Sequence, residues 1–337
     1  GPVVAISAFN HPLNLIAHQV GPAVASGCPV LVKPAKDTPL SCKSFVEILY
    51  EAGLDERWCR FVPCSNDVAE QMVIDSRTAF FSFIGSARVG WMLRSKLAPG
   101  TRLALEHGGA APVLVDEGVA SGKVIPPLLK GGFYHSGQVC VSVQRVFVPR
   151  AELPDFAAEL AEGAEALTVG DPTKAETQCG PLIRPAEVDR VASWVDAAVQ
   201  GGARLAAGGK RMGSTLYQPT VLVDPPCDAD VSRKEVFGPV VCIYGYDDVD
   251  AAIGQANALP YAFQAAVFTD RMSWADYCVE ALAASAVMVN DHTAFRVDWM
   301  PFAGRRQSGL GTGGIGYTMA DMSEEKMVVV NAPSSVR

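Results

Sequence analysis

Short β-rich runs alternate with segments of helical periodicity along the first hundred residues, and this alternation constrains the fold most. Val3 to Ser7, Pro29 to Lys33, Arg60 to Pro63 and Ala79 to Ile84 each read as a strand. Between them, Asn14 to Ser26 carries Leu15, Ile16, Val20 and Val24 at helical spacing. Ser41 to Ala52 sets Phe45, Ile48 and Leu49 on one face and stops at Gly53. Val68 to Ile74 is a shorter helix, and Gly85-Ser86 opens another that runs through Leu97. Alternation of this kind builds right-handed βαβ units on a parallel sheet.

A second α/β region follows. Ala111 to Val115, Gln144 to Val148, Tyr217 to Val223, Val240 to Tyr246 and Ala286 to Asn290 read as strands. Lys123 to Phe133, Asp155 to Ala166, Pro185 to Gly201, Val249 to Ala258 and Ser273 to Leu282 read as helices. A glycine-rich loop spans Pro301 to Gly316, and Lys326 to Asn331 (KMVVVN) reads as a terminal strand. The pattern breaks at Gly108-Gly109, between an apolar strand ending in Glu106 and the strand around Val113. That break is the expected domain boundary.

Composition limits the function classes. Apolar residues make up 49% of the 337 positions, enough for a large core and too many for a disordered chain. No run of 18 apolar residues suggests a membrane span. The net charge is −8 without basic clusters, which disfavours nucleic acid and anionic membranes as partners. Nine scattered cysteines form no CxxC pair, and the five histidines do not pair at ligand spacing, so no metal site is expected. Such cysteine usage fits a reducing, cytoplasmic setting.

Taken singly, the candidate chemical groups each have an ordinary alternative. Cys140, in the run SGQVCVS at 136–142, can be an inert buried thiol or a nucleophile on a loop before a strand. Glu106, between an apolar run and Gly108-Gly109, can be a solvated strand-end acid or a desolvated general base. Asn10 follows the first strand and can be a plain turn residue. The GxGxxG match at 309–314 follows no strand of a βαβ unit, and too little chain remains after it for a dinucleotide unit.

In combination these residues form a pattern. FNHPLNL at 9–15, LVKPAKDTPL at 31–40, FIGSARVG at 83–90, LEHGG at 105–109, GQVC at 137–140, KEVFGPV at 234–240 and PFAGRRQSGLG at 301–311 occur in order. In these motifs the chain resembles the aldehyde dehydrogenase superfamily. The resemblance implies an α/β fold with a Rossmann-type cofactor domain, an α/β catalytic domain and a short C-terminal oligomerisation strand. The implied extents are 1–108 for the cofactor domain, 109–308 for the catalytic domain, and 309–337 for the return segment and oligomerisation strand.

It further implies NAD(P)-dependent oxidation of an aldehyde to a carboxylic acid. Cys140 would attack the carbonyl, and the Asn10 amide with the Cys140 N–H would hold the oxyanion. Hydride would pass to the nicotinamide, and Glu106 would activate water against the thioester. Glu324 would relay a proton or stand as a solvated charge. Lys33 would meet the adenosine ribose, Gly85 and Ser86 the pyrophosphate, and Glu235 and Phe237 the nicotinamide and its ribose. Relatives usually carry a further N-terminal segment of roughly a domain's size, so this chain is expected to lack it.

Departures from the family pattern bear on specificity. Lys36 stands where glutamate is frequent, which fits the 2′-phosphate of NADP, or else the side chain faces solvent. His107 replaces a usual leucine. His11, Asn14 and His18 make the expected substrate pocket polar, and His292, Phe295 and Arg296 lie in the loop over its entrance. The expected substrate is a small polar, hydroxylated or anionic aldehyde, an anion being clamped by the guanidinium there, or else Arg296 is a surface or interface residue. A homodimer or homotetramer is expected through the terminal strand. Three other readings stand beside the oxidising enzyme: a coenzyme-A-acylating relative, which Glu106 argues against; a cysteine hydrolase; and a non-catalytic or truncated binding or assembly protein on the same fold.

Overall fold

The computed structural model describes residues 1–331. Its first sheet is built from β1 (Val3–Ile6), α1 (Asn14–Ala25), β2 (Val30–Lys33), α2 (Pro39–Glu51), β3 (Cys59–Phe61), α3 (Asn66–Ile74), β4 (Phe80–Ile84), α4 (Ala87–Arg94) and β5 (Arg102–Glu106). A second run follows as β6 (Ala111–Val115), α5 (Ser121–Phe133), β7 (Val143–Pro149), α6 (Leu153–Glu165), α7 (Pro185–Gln200), β8 (Arg204–Ala207), β9 (Thr220–Val223) and α8 (Asp230–Arg233). It continues with β10 (Val240–Tyr246), α9 (Val249–Asn257), β11 (Tyr261–Ala262), β12 (Gln264–Phe268), α10 (Met272–Ala281) and β13 (Ala286–Val289). The chain then returns through β14 (Arg305–Arg306), β15 (Gly309–Leu310) and α11 (Ile315–Asp321).

The first sheet has the order β15-β5-β4-β1-β2-β3, parallel except for β15, which runs antiparallel to β5. The second has the order β13-β12-β6-β7-β10-β9-β8, parallel except for β8. Both are covered on both faces, as parallel sheets with crossover helices must be. Alternate residues of β1 feed different cores: Val3 and Ala5 pack with Ile16, Val20 and Val46, whereas Val4 and Ile6 pack with Val73, Phe81 and Leu93. In β6, Leu114 joins one core and Val113 and Val115 the other.

Strand order reverses between β1 and β4, and the carboxyl edge of such a switch point opens a crevice. Asn10 follows β1, Lys33 ends β2, Gly85 and Ser86 follow β4, and Glu106 ends β5. The second sheet presents its opposite edge: Cys140 precedes β7 and Glu235 precedes β10. One sheet's carboxyl edge thus faces the other's amino edge.

Three differences from the sequence reading stand out. Strand β12 lies mid-sheet, although QAAVF has little β-branched character. Strand β8 and helix α11 are also additional. The expected strand at Lys326 to Asn331 is not formed: residues 323–331 carry no regular structure, and Met327 to Val330 are 71–86% exposed. A strand needs a ladder partner, and the described residues of this chain offer this run none. In the return segment Gly309 pairs with Glu106, which makes β15 the edge of the first sheet.

Candidate active site

The loop before β7 has a constrained backbone. His135, Ser136 and Gly137 all have positive φ, at 49°, 56° and 68°. Two non-glycine residues in that region are strained and persist only where surroundings over-determine them. Those surroundings are visible. Gln138 donates to the carbonyls of His135 and Pro181, at 3.1 and 3.3 Å, and accepts from the Ile183 N–H at 2.9 Å. Ser136 donates to the Gly180 carbonyl. At Gly137 any Cβ would stand 2.1 Å from the Gly238 carbonyl oxygen, so only glycine fits.

This loop places Cys140 against the first sheet. Its Sγ donates to Glu106 Oε1 across 3.9 Å, and the Asn10 amide donates to the Gln138 carbonyl at 3.0 Å. Asn10, Glu106 and Cys140 come from three separate parts of the chain and meet at one point. A cleft of about 80 Å³ opens beside Glu106, lined also by Asn14, His18, Gln19, Arg296 and Phe302 among others. On its other side the thiol borders a cavity of about 20 Å³ near Arg145 and Gln264, room for about one water.

Burial dominates the electrostatics. The Glu106 carboxyl is pushed up to about 7 by desolvation, against the opposing pull of Arg296 and of the Cys140 bond. The Cys140 thiol is raised well above its usual value by burial and by the carboxylates of Glu106 and Glu235. It therefore rests protonated, with a carboxylate in reach. Arg296 is held by the carbonyls of Val297 and Met300, each at 2.9 Å, and lies 4.6 Å from the Phe302 ring centroid. His18 lies 3.5 Å from Asp298, and its pKa is lowered by burial and by Arg296. The His11 and His135 rings lie with centroids 4.5 Å apart, tilted by 35°, and burial with His135 drives His11 down to about 4.

The residues expected at a dinucleotide fit one. Lys33 is 7% exposed, and its ammonium reaches only the Pro34 carbonyl, at 3.5 Å. A buried ammonium so poorly paired suits ribose hydroxyls. Glu235 Oε1 is buried without a partner, and burial lifts its carboxyl to about 8. Ser86 caps α4 but leaves its hydroxyl unused, and the first N–H groups of a helix have no acceptor within it. Phe237, with φ 46°, meets Phe9 edge-on at 5.8 Å. Lys36 is exposed and forms no ion pair among the described residues.

Other expected site residues fall elsewhere. Glu324 is 78% exposed on its side chain and faces Arg102 at 3.7 Å, so the structure does not bring it to Glu106. Arg102 begins β5 whereas Glu106 ends it, which separates the two by the length of the strand. Phe295 is 41% exposed and outside the cleft lining. His292 is 6% exposed and packs over Gly131 of α5, away from the cleft. The sequence reading passed over Gln19, which lines the cleft and ties β1 to β4 through the Ile6 carbonyl and Ser82. Its place among the apolar residues of α1 is the only sequence signal for it. No group of three metal-ligating side chains occurs among the described residues, and none of their helices is long and apolar enough to cross a membrane.

A Rossmann-type sheet facing a second α/β unit, with a thiol and a carboxyl across the gap, defines a dinucleotide-dependent enzyme that works through a cysteine. A model of the aldehyde dehydrogenase family matches residues 1–328, and the chain belongs to that family of NAD(P)-dependent oxidoreductases. It is 38% identical over 332 residues to the 3-sulfolactaldehyde dehydrogenase of Priestia megaterium, covering 98% of this chain and 69% of that protein. Among solved structures it resembles aldehyde dehydrogenase 21 from Physcomitrella patens in complex with the product succinate. There the TM-score is 0.95 and identity 35%, over 100% of this chain and 70% of that one. It also resembles glyceraldehyde-3-phosphate dehydrogenase GapN from Methanocaldococcus jannaschii complexed with NADP, with TM-score 0.92 and 33% identity over 96% and 71%.

Proposed function

We propose that this enzyme oxidises a small anionic aldehyde to the carboxylic acid through a thioester on Cys140. The observation that carries the reading is Cys140 Sγ on Glu106 Oε1 beside a cleft that also holds the Arg296 guanidinium. Glu106 takes the thiol proton, and the thiolate adds to the carbonyl carbon. The Asn10 amide and the Cys140 N–H stabilise the resulting oxyanion, a term worth about 3–4 kcal/mol for one such donor. A nicotinamide held by Glu235 and Phe237 would supply the hydride acceptor that oxidation of this adduct to the thioester requires. Glu106 gives the thiol proton up to solvent, then removes a proton from water, which adds to the thioester; the acid leaves and Glu106 returns a proton to the departing Cys140 thiolate. Its elevated pKa suits a base working near neutrality.

In this reading residues 1–108 hold the dinucleotide and 109–308 carry the nucleophile. Lys33 holds the adenosine ribose, Gly85 and Ser86 the pyrophosphate, Glu235 and Phe237 the nicotinamide half. The exposed Lys36 supports acceptance of the NADP phosphate. Arg296 and His18 line the anion end of the substrate cleft. The relative named for a sulfonated aldehyde and the structure holding succinate support an anionic substrate. Free, mostly buried cysteines support a cytoplasmic setting. The exposed run Met327 to Val330 supports a homo-oligomer.

The test is dinucleotide reduction, followed by absorbance, over a panel of sulfonated, phosphorylated, carboxylated and neutral aldehydes. Wild type is compared with Cys140→Ala and Arg296→Ala. Activity lost in Cys140→Ala, and lost selectively on anionic aldehydes in Arg296→Ala, supports the reading. An equal loss on neutral aldehydes in Arg296→Ala removes the anion clamp.

A further inference from the structure

His107 is buried, polar and without a part in the chemistry above. Its side chain is 1% exposed and sits between Phe83 and Trp91, with ring centroids 5.7 and 5.8 Å away. Gly90 of α4 makes room for it, since a Cβ there would come within 2.1 Å of His107 Cε1. Nδ1 lies 2.8 Å from the Gly85 carbonyl oxygen, which can only accept, so Nδ1 carries the hydrogen. Nε2 is left buried with no partner.

Packing alone does not account for this residue. An apolar side chain of similar size would fill the same cage without stranding Nε2. What it would lose is the bond to Gly85. That glycine is gripped on both sides: its N–H donates to the Glu106 carbonyl at 3.0 Å, and its carbonyl accepts from His107. The His107 N–H in turn donates to the Ser308 carbonyl at 2.9 Å, which ties in the return segment.

We infer that His107 is a positioning residue that fixes the turn Gly85-Ser86 relative to the strand end bearing Glu106, and so sets the seat of the dinucleotide pyrophosphate. This rests on the reading that the turn holds that pyrophosphate. Orientation of the Gly85 peptide determines where the N–H groups opening α4 point. Without the His107 anchor the peptide is free to rotate on the carbonyl side, and the ligand must then order it.

The full chain, as His107→Leu and His107→Asn, tests this by calorimetric titration with ADP and with adenosine. Leucine keeps the bulk and removes the donor; asparagine presents an amide N–H near the place of Nδ1. His107→Leu is expected to weaken ADP roughly five- to tenfold, the worth of one hydrogen bond, and to leave adenosine unchanged. His107→Asn is expected to recover most of that loss, and the KM for dinucleotide to follow the same order. ADP binding at wild-type strength in a folded His107→Leu overturns the inference, as does equal weakening of ADP and adenosine. Should the leucine variant not fold, a folded His107→Asn that loses ADP selectively overturns it, and one that keeps ADP supports it. A wild type that binds ADP no better than adenosine defeats the pyrophosphate reading itself.

Discussion

At the residue scale, Glu106 is the group whose chemistry is set most directly by its surroundings. Its carboxyl ionises near 7, and only the ionised form can take a proton from thiol or water. The rate of thioester hydrolysis is therefore expected to rise with pH and level off above about 7, in single-turnover acid release. Arg296 is the largest influence holding that value down, so Arg296→Ala should move the midpoint upward. A midpoint that stays put or falls would show that the two side chains do not sense each other. Glu106→Gln keeps the shape and removes the base. It should slow both formation of the acyl-enzyme and its hydrolysis, with turnover down by about 10²–10⁴. These residues could be picked out from the sequence because LEHGG and GQVC tie chemistry to short motifs. Glu324 could not be placed that way, since its partner Arg102 is chosen by a tertiary contact.

At the scale of elements, the site depends on strand ends and on one strained loop. The β1, β2, β4 and β5 ends were readable because each strand is a short apolar run closed by glycine, proline or a polar residue. Strand β12 was not, because QAAVF owes its place to burial between β6 and β13 rather than to propensity. The positive φ values of His135 and Ser136 were likewise invisible, since Ser136 is tied to the remote Gly180 carbonyl and Gln138, which bonds His135, is itself held by Pro181 and Ile183. Gly137→Ala tests how far the loop is over-determined. Its Cβ would collide with the Gly238 carbonyl, so the loop must shift rather than the side chain. We expect a loss of at least about 1–3 kcal/mol in urea unfolding and a fall in Cys140 alkylation with activity. A variant as stable and as active as wild type would mean the loop has slack that its bonds do not suggest.

At the scale of the molecule, two sheets meet at edges that bury the Glu106 and Glu235 carboxyls, and stability should record it. Glu235 is held protonated to about 8 by burial, against an ordinary value of 4.5, and its Oε1 has no partner. The unfolded chain ionises this group near 4.5, while the folded chain keeps the proton until about 8. Unfolding therefore releases a proton between those values, and folding stability falls as pH rises through that window. Below 4.5 both states are protonated and nothing is lost; above 8 both are ionised and the full penalty applies. Glu235→Gln removes the charge while keeping the volume. Its melting temperature should match wild type at acid pH and exceed it increasingly toward pH 8. Saturating dinucleotide should narrow the difference, if the ribose partners the carboxylate as proposed, because bound ligand then shares the burial. Thermal melts across the pH range, with and without NADP, separate these effects. A gain that is the same at every pH would show that Glu235 is solvated in the folded chain, and that the junction between the sheets is wetter than its packing implies.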